Sequence, residues 1–275
     1  MKPVTVPARD GLKLVSYLTT PEDAKGPLPL VLNVHGGPWA RDEWGYDPEA
    51  QWFASRGYAV LQVNFRGSTG FGKAFLNAGN REWGAKMHDD LLDAVEWAVG
   101  EGIAHRDKIA IYGGSYGGYA ALAGAAFTPD VFCCAVDIVG PSNICTLIES
   151  IPAYWAPLMH QFRVRVGDIE TERDFLEARS PLFKANEIKI PMLIAQGAND
   201  PRVKQAEAEQ IVEALKGKGK EVDYLLFEDE GHGFSRPENR MAFYAEAEQF
   251  LARQLGGVAE PATADESVRV EGLRK

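Results

Sequence analysis

The chain has 275 residues, 45% of them hydrophobic, and a formal net charge of −10. That length allows one large α/β domain or two small ones, each with a sizeable core. The negative field repels nucleic-acid phosphates and anionic membrane surfaces. No cluster of Lys or Arg offsets it, so neither is an expected partner.

In chain order, "VTV" and "GLKLVSYLTTP" predict two opening strands that pair with each other, the second by its apolar–polar alternation. "PLPLVLNVHGG" holds a buried strand over Leu30 to Val34, closed by glycines. A short helical stretch follows around Gln51 to Arg56, and then a strand over Ala59 to Asn64. "HDDLLDAVEWAVG" has polar residues at its start and Leu91, Leu92, Val95 and Val99 at helical spacing. "KIAIYGG" predicts a strand, "YAALAGAAF" a helix and "FCCAVDIVG" another strand. Residues 140–188 break the alternation with prolines, aromatics and helical segments, and are expected to form a helical excursion beside the sheet. "IPMLIAQG" resumes the pattern. A helix over Lys204 to Leu215 with Ala208, Ile211, Val212 and Leu215 on one face comes next. "VDYLLF" is the last strand and Asn239 to Gln254 the last helix, and 256–275 is expected to be a loose tail. Strands alternating with helices predict an α/β fold, a mostly parallel twisted sheet with helices on both faces. There is no internal repeat or linker, so residues 1–255 are expected to form one domain.

No run of 18 apolar residues is present, and the start, "MKPVTVPARDG", lacks the apolar core of a secretory signal, so a cytoplasmic location is expected. Cys133, Cys134 and Cys145 are odd in number and lack metal-type spacing, which argues against a disulfide framework or a zinc site.

"IYGGSYGGYA" places Gly113-Gly114-Ser115-Tyr116-Gly117 between a strand and a helix, the setting of a G-x-S-x-G nucleophile elbow. Such a turn strains the serine backbone and favours glycine two residues away on either side. It also lifts the Ser115 hydroxyl to a helix N-terminus, with the Tyr116 N–H directed at the place where an oxyanion would form. Serine needs a base, and the base an orienting acid. Of five histidines, His232 in "EDEGHGFSRP" follows the last strand, where the order Ser…acid…His puts the base. His88 reads as a capping or surface residue, and His105 and His160 lack supporting context. The acid must lie between Ser115 and His232. Asp200, beyond a strand end in "QGANDPRV", is preferred over Asp137, which lies within its strand and is expected to support the sheet edge. Glu228, Asp229 and Glu230 read as a solvated loop. The second oxyanion donor is expected from "HGGP", with Gly37 as the choice and His35 bracing the loop. Tyr154 and Trp155 are candidates for an apolar substrate wall, and Arg202 for a substrate carboxylate or carbonyl.

Together, "HGGPW", "NFRGSTGFG", "GGSYGGY", "GANDPRV" and "DEGHGF" resemble the catalytic domain of the prolyl oligopeptidase family of serine peptidases, closest to its acylaminoacyl-peptidase branch. The likeness covers most of residues 1–255. It implies an α/β-hydrolase fold, Ser115 as nucleophile, Asp200 as acid, His232 as base, and the Tyr116 and Gly37 amides as oxyanion hole. Prolyl oligopeptidase itself and the dipeptidyl peptidases use a tyrosine side chain in that hole, where this chain has "HGGP". Family members usually carry a β-propeller before this domain, and no propeller is read in these residues. The expected activity is hydrolysis of acyl-aminoacyl or short peptide bonds, with small esters as the alternative substrate. The chemistry needs neither metal nor organic cofactor. Apolar surface that a propeller would cover could drive self-association into a homo-oligomer.

Overall fold

The computed structural model describes residues 1–151 and 156–275 of the chain. Among them the strands are β1 (Lys2–Pro7), β2 (Lys13–Thr19), β3 (Leu28–Val34), β4 (Ala59–Val63), β5 (Ala104–Gly114), β6 (Cys134–Ile138), β7 (Met192–Gly197) and β8 (Val222–Phe227). They form one sheet in the order β1-β2-β4-β3-β5-β6-β7-β8. The hairpin β1–β2 and the β2–β4 pair are antiparallel, and every pair from β4 to β8 is parallel. The pattern follows from the sequence. The inner strands β3 and β4 are near-continuous apolar runs buried on both faces, whereas β2 alternates.

The helices are α1 (Pro48–Ser55), α2 (Lys73–Asn77), α3 (Lys86–Gly100), α4 (Tyr116–Phe127), α5 (Ile144–Glu149), α6 (Ala156–Arg165), α7 (Arg173–Ala178), α8 (Gln205–Lys216), α9 (Pro237–Leu255) and α10 (Ala264–Leu273). A 3-10 segment spans Pro181–Glu187. Residues of α3, α4, α5 and α8 share one core with one face of the sheet; residues of α1, α9 and α10 share a second core with the other face. Helix α4, "YGGYAALAGAAF", is apolar all round and buried from Tyr116 to Ala126. Its glycines and alanines let it lie close to the sheet, and this closeness sets the position of the serine before it.

The tail is not loose throughout. Thr263 and Glu266 form a reciprocal capping box at the start of α10, and Val270 and Leu273 are buried on the α9 face. Arg274 pairs with Glu246 and Asp223, and its backbone bridges Leu225 of β8. The Thr-x-x-Glu signature and the i, i+3 apolar pair are present in the sequence. They stand in a polar stretch whose burial depends on α9 and β8.

Between β6 and β7 lie α5, α6, α7 and the 3-10 segment. Tyr154 and Trp155 fall outside the described residues.

Candidate active site

Ser115 stands between β5 and α4 with φ 59° and ψ −117°. Close packing forces the glycines around it. A Cβ on Gly117 would lie 2.0 Å from the Val34 carbonyl oxygen, and one on Gly113 would lie 2.6 Å from that same atom. The elbow is therefore pressed against the end of β3, and no side chain fits at either position. The Ser115 amide donates to the Ile138 carbonyl at 2.8 Å, and the Ser115 carbonyl accepts the first intrahelical bond, from Tyr119. The Tyr116 amide, at the first position of α4, has no intrahelical acceptor.

Asp200 follows β7 at the same edge of the sheet. Its side chain is buried, and Oδ1 accepts the amides of Arg202 at 2.7 Å and Val203 at 2.9 Å. Oδ2 is thereby turned toward His232, whose Nδ1 donates to it at 2.6 Å. That bond leaves Nε2 as the acceptor for the Ser115 hydroxyl, at 2.9 Å. One continuous chain of hydrogen bonds thus links three residues, with 85 positions between Ser115 and Asp200 and 32 between Asp200 and His232.

Asp137 is held away from this chain. It is fully buried, and its Oδ1 accepts the Gly140 amide at 2.8 Å. Burial pushes its carboxyl well above the usual carboxylate range, with Glu207 adding to the rise. Its bond within its own turn, against the Asp200 bond to His232, separates the two carboxyls on geometric grounds.

The "HGGP" loop packs onto the elbow. A Cβ on Gly36 would meet the Gly114 carbonyl oxygen at 3.1 Å and the Ser115 Cβ at 3.4 Å. Gly37, next in the chain, has φ +119°. His35 braces the loop: its ring stacks on Phe65 with centroids 4.4 Å apart, Nδ1 meets the Gly36 carbonyl and Nε2 meets the Ser68 hydroxyl. Burial pushes its pKa down to about 4, so the ring is neutral near pH 7. Arg66 of "NFRGSTG" is buried and bonds Asp90 and Asp10, which fixes the segment that presents Ser68. The Tyr116 side chain turns away from the serine into a cluster with Phe65, Trp83 and Tyr119. Arg202 enters the site's framework through its backbone amide, and the residue itself is exposed.

Two expectations from the sequence are corrected here. Glu230 is not part of a solvated loop. It is 3% exposed and accepts the amides of Ser235 and Arg236 and the Asn239 side-chain amide. It closes the loop that carries His232 onto the start of α9. Burial alone would raise its carboxyl, but the bonds from Asn239, Ser235 and Arg236 outweigh that and hold it below the usual range. His88 is not a surface residue either. It is buried, with Nε2 against the Thr128 hydroxyl, and burial pushes its pKa down to about 4. Its place on the buried face of α3 was legible in the helical spacing around Leu91 and Val95.

The sequence profile of the prolyl oligopeptidase family matches residues 44–258. The chain is 60% identical over 269 residues to dipeptidyl aminopeptidase BIII of Pseudoxanthomonas mexicana, covering 94% of this chain and 39% of that protein. It is 49% identical to dipeptidyl peptidase family member 6 of Caenorhabditis elegans, covering 92% and 38%. Among solved structures it is similar to a puromycin-hydrolyzing peptidase of Mycobacterium tuberculosis, with a TM-score of 0.86, 32% identity, and 95% and 40% of the two chains covered. It is also similar to the acylaminoacyl peptidase of Pyrococcus horikoshii, with a TM-score of 0.84, 27% identity, and 97% and 43% covered. The chain spans about two fifths of the length of these curated relatives. On the match over residues 44–258, the chain belongs to the prolyl oligopeptidase family.

Proposed function

We propose that this chain is the catalytic domain of a serine hydrolase that cleaves acyl-aminoacyl or short peptide bonds. The observation that carries the reading is the hydrogen-bonded chain Ser115–His232–Asp200, at 2.9 and 2.6 Å. His232 takes the Ser115 proton as the hydroxyl attacks a carbonyl carbon, and Asp200 stabilises the imidazolium that forms. The Tyr116 and Gly37 amides hold the oxyanion, each contributing about 3 kcal/mol to the barrier reduction. His232 then protonates the leaving group. In the second half-reaction it activates water, which releases the acyl group and restores Ser115. No step calls for a cofactor.

The relatives' names divide between dipeptidyl and acylaminoacyl peptidases, which differ in whether the substrate's N-terminus is free or blocked. "HGGP" at the oxyanion loop supports the acylaminoacyl reading. Small esters are the second reading, because the same acyl-enzyme route serves them and an ester leaving group needs less protonation. Three free cysteines fit a reducing compartment, so we read the location as cytoplasmic.

The test compares the protein with Ser115→Ala on an acetyl-aminoacyl anilide, a dipeptidyl anilide with a free amine, and a short-chain nitrophenyl ester. Serine-dependent cleavage of the acetylated anilide supports the reading. Cleavage of the ester alone moves the assignment to an esterase, and a Ser115→Ala variant as active as the parent overturns the triad.

A further inference from the structure

Two residues in the left-handed region of backbone space lie on either side of one hydrogen bond. Ser115 has φ 59° and Val139 has φ 49°. The first belongs to the elbow. The second is at a β-branched residue, for which this conformation is rare and strained, and it persists only where the surroundings over-determine it. Nothing in the triad chemistry requires it.

The surroundings are specific. The Asp137 Oδ1 accepts the Gly140 amide at 2.8 Å and so closes the turn 137–140 upon itself, with Val139 inside it. The carboxyl fills its seat completely. A Cβ on Gly140 would lie 2.3 Å from that oxygen, and one on Gly118, in the first turn of α4, would lie 2.2 Å from it. The turn sends its groups in two directions. The Ile138 carbonyl accepts the Ser115 amide at 2.8 Å. The Val139 amide donates to the Ala195 carbonyl of β7 at 2.8 Å, and β7 is the strand that leads to Asp200. Oδ2 of Asp137 has no hydrogen-bond partner among the described residues, so the side chain works through Oδ1 alone.

We propose that Asp137 is a positioning residue: by holding the Val139 turn closed, it fixes the backbone of Ser115 against the strand that delivers the catalytic acid. The assignment rests on the triad reading above. Asp137 makes no hydrogen bond to the triad side chains. Without its bond to Gly140 the turn has a route to relax its strained residue, the Ile138 carbonyl shifts, and Ser115 loses its alignment with His232. Small displacements of that kind cost rate more than affinity.

The test measures three quantities in each variant: the second-order rate of Ser115 modification by a fluorophosphonate, kcat and KM on a nitrophenyl ester, and the thermal midpoint. Asp137→Asn keeps an acceptor for Gly140 and the same shape, and is expected within about threefold of the parent on every kinetic quantity. Asp137→Ala is expected to lower kcat and the labelling rate by about tenfold or more with KM changed less than about threefold. Should Asp137→Ala fail to fold, Val139→Ala and Val139→Gly carry the test, since both remove the side chain and only glycine frees φ. The glycine variant is expected to be as stable as the alanine variant or more so, yet slower by about fivefold or more. A folded Asp137→Ala with parental kcat overturns the proposal. So does an Asp137→Asn as impaired as Asp137→Ala, or a Val139→Gly no slower than Val139→Ala. A parent protein that does not label at all defeats the serine-hydrolase reading first, before any variant is compared, and removes the proposal with it.

Discussion

Truncating Glu230 should damage both stability and turnover, although Glu230 lies outside the hydrogen-bonded chain of the triad. Its carboxylate accepts three bonds, from the Ser235 amide at 2.9 Å, the Arg236 amide at 2.8 Å and the Asn239 side chain at 2.8 Å, and it is 3% exposed. Bonds to a charged group are worth about 1.5–3 kcal/mol each, and shared partners make them less than additive, so Glu230→Ala should cost about 3–4 kcal/mol. For a domain of this size that corresponds to a fall of about 6–16 °C in Tm. The loop these bonds close carries His232, whose Nε2 sits 2.9 Å from the Ser115 hydroxyl, so kcat should fall by about tenfold or more through misplacement of the base. Glu230→Gln keeps the shape but not the charge. The Glu230 carboxyl titrates lower in the folded chain than in the unfolded one, so its contribution is complete above the unfolded pKa and is lost as pH falls through the folded value. The parent's Tm should therefore drop more steeply on the acid side than that of Glu230→Gln. Thermal unfolding across pH, with kcat at pH 7, checks all of these. A Glu230→Ala variant within about 2 °C of the parent and with its kcat would refute the claim that this carboxylate holds the histidine loop.

Gly117→Ala should cost about 3 kcal/mol or more, because its Cβ would lie 2.0 Å from the Val34 carbonyl oxygen, a backbone atom in a central strand; urea unfolding measures it. His88→Gln should flatten the acid side of the stability profile. The buried imidazole has its pKa lowered to about 4 from 6.5, so the parent loses stability as pH falls from 6.5 toward 4, and a non-titrating side chain removes that slope from Tm against pH. A chain ending at Gly257 should lose about 3–6 kcal/mol, because Val270 and Leu273 leave the second core, and denaturant unfolding should show it.

The chemistry was legible in the sequence because it depends on local geometry and chain order. Gly113, Gly114 and Gly117 around Ser115, between an apolar strand and an apolar helix, specify a sharp turn whatever else surrounds it. In a parallel sheet every strand ends at the same edge, so residues just past β5, β7 and β8 converge without any contact being known in advance. Ser115, Asp200 and His232 could therefore be expected to meet from position alone, and their side chains do form one hydrogen-bonded chain. Which way a side chain turns, and what covers it, is set by segments distant in the chain. Asp137 and Asp200 are both carboxylates at strand ends. Only the amides of Arg202 and Val203 aim one at His232, and only the Gly140 amide holds the other in its own turn. Glu230 reads as one of three acids in a row until α9 supplies Asn239 and buries it. Residues 264–273 read as a polar tail until α9 and β8 give their two apolar side chains a place to be buried. The sequence determined the elbow, the shared edge of the parallel strands and the three residues that meet there. The tertiary structure decided which buried carboxyls hold them in place, because burial and hydrogen-bond satisfaction depend on long-range contacts that no local pattern encodes.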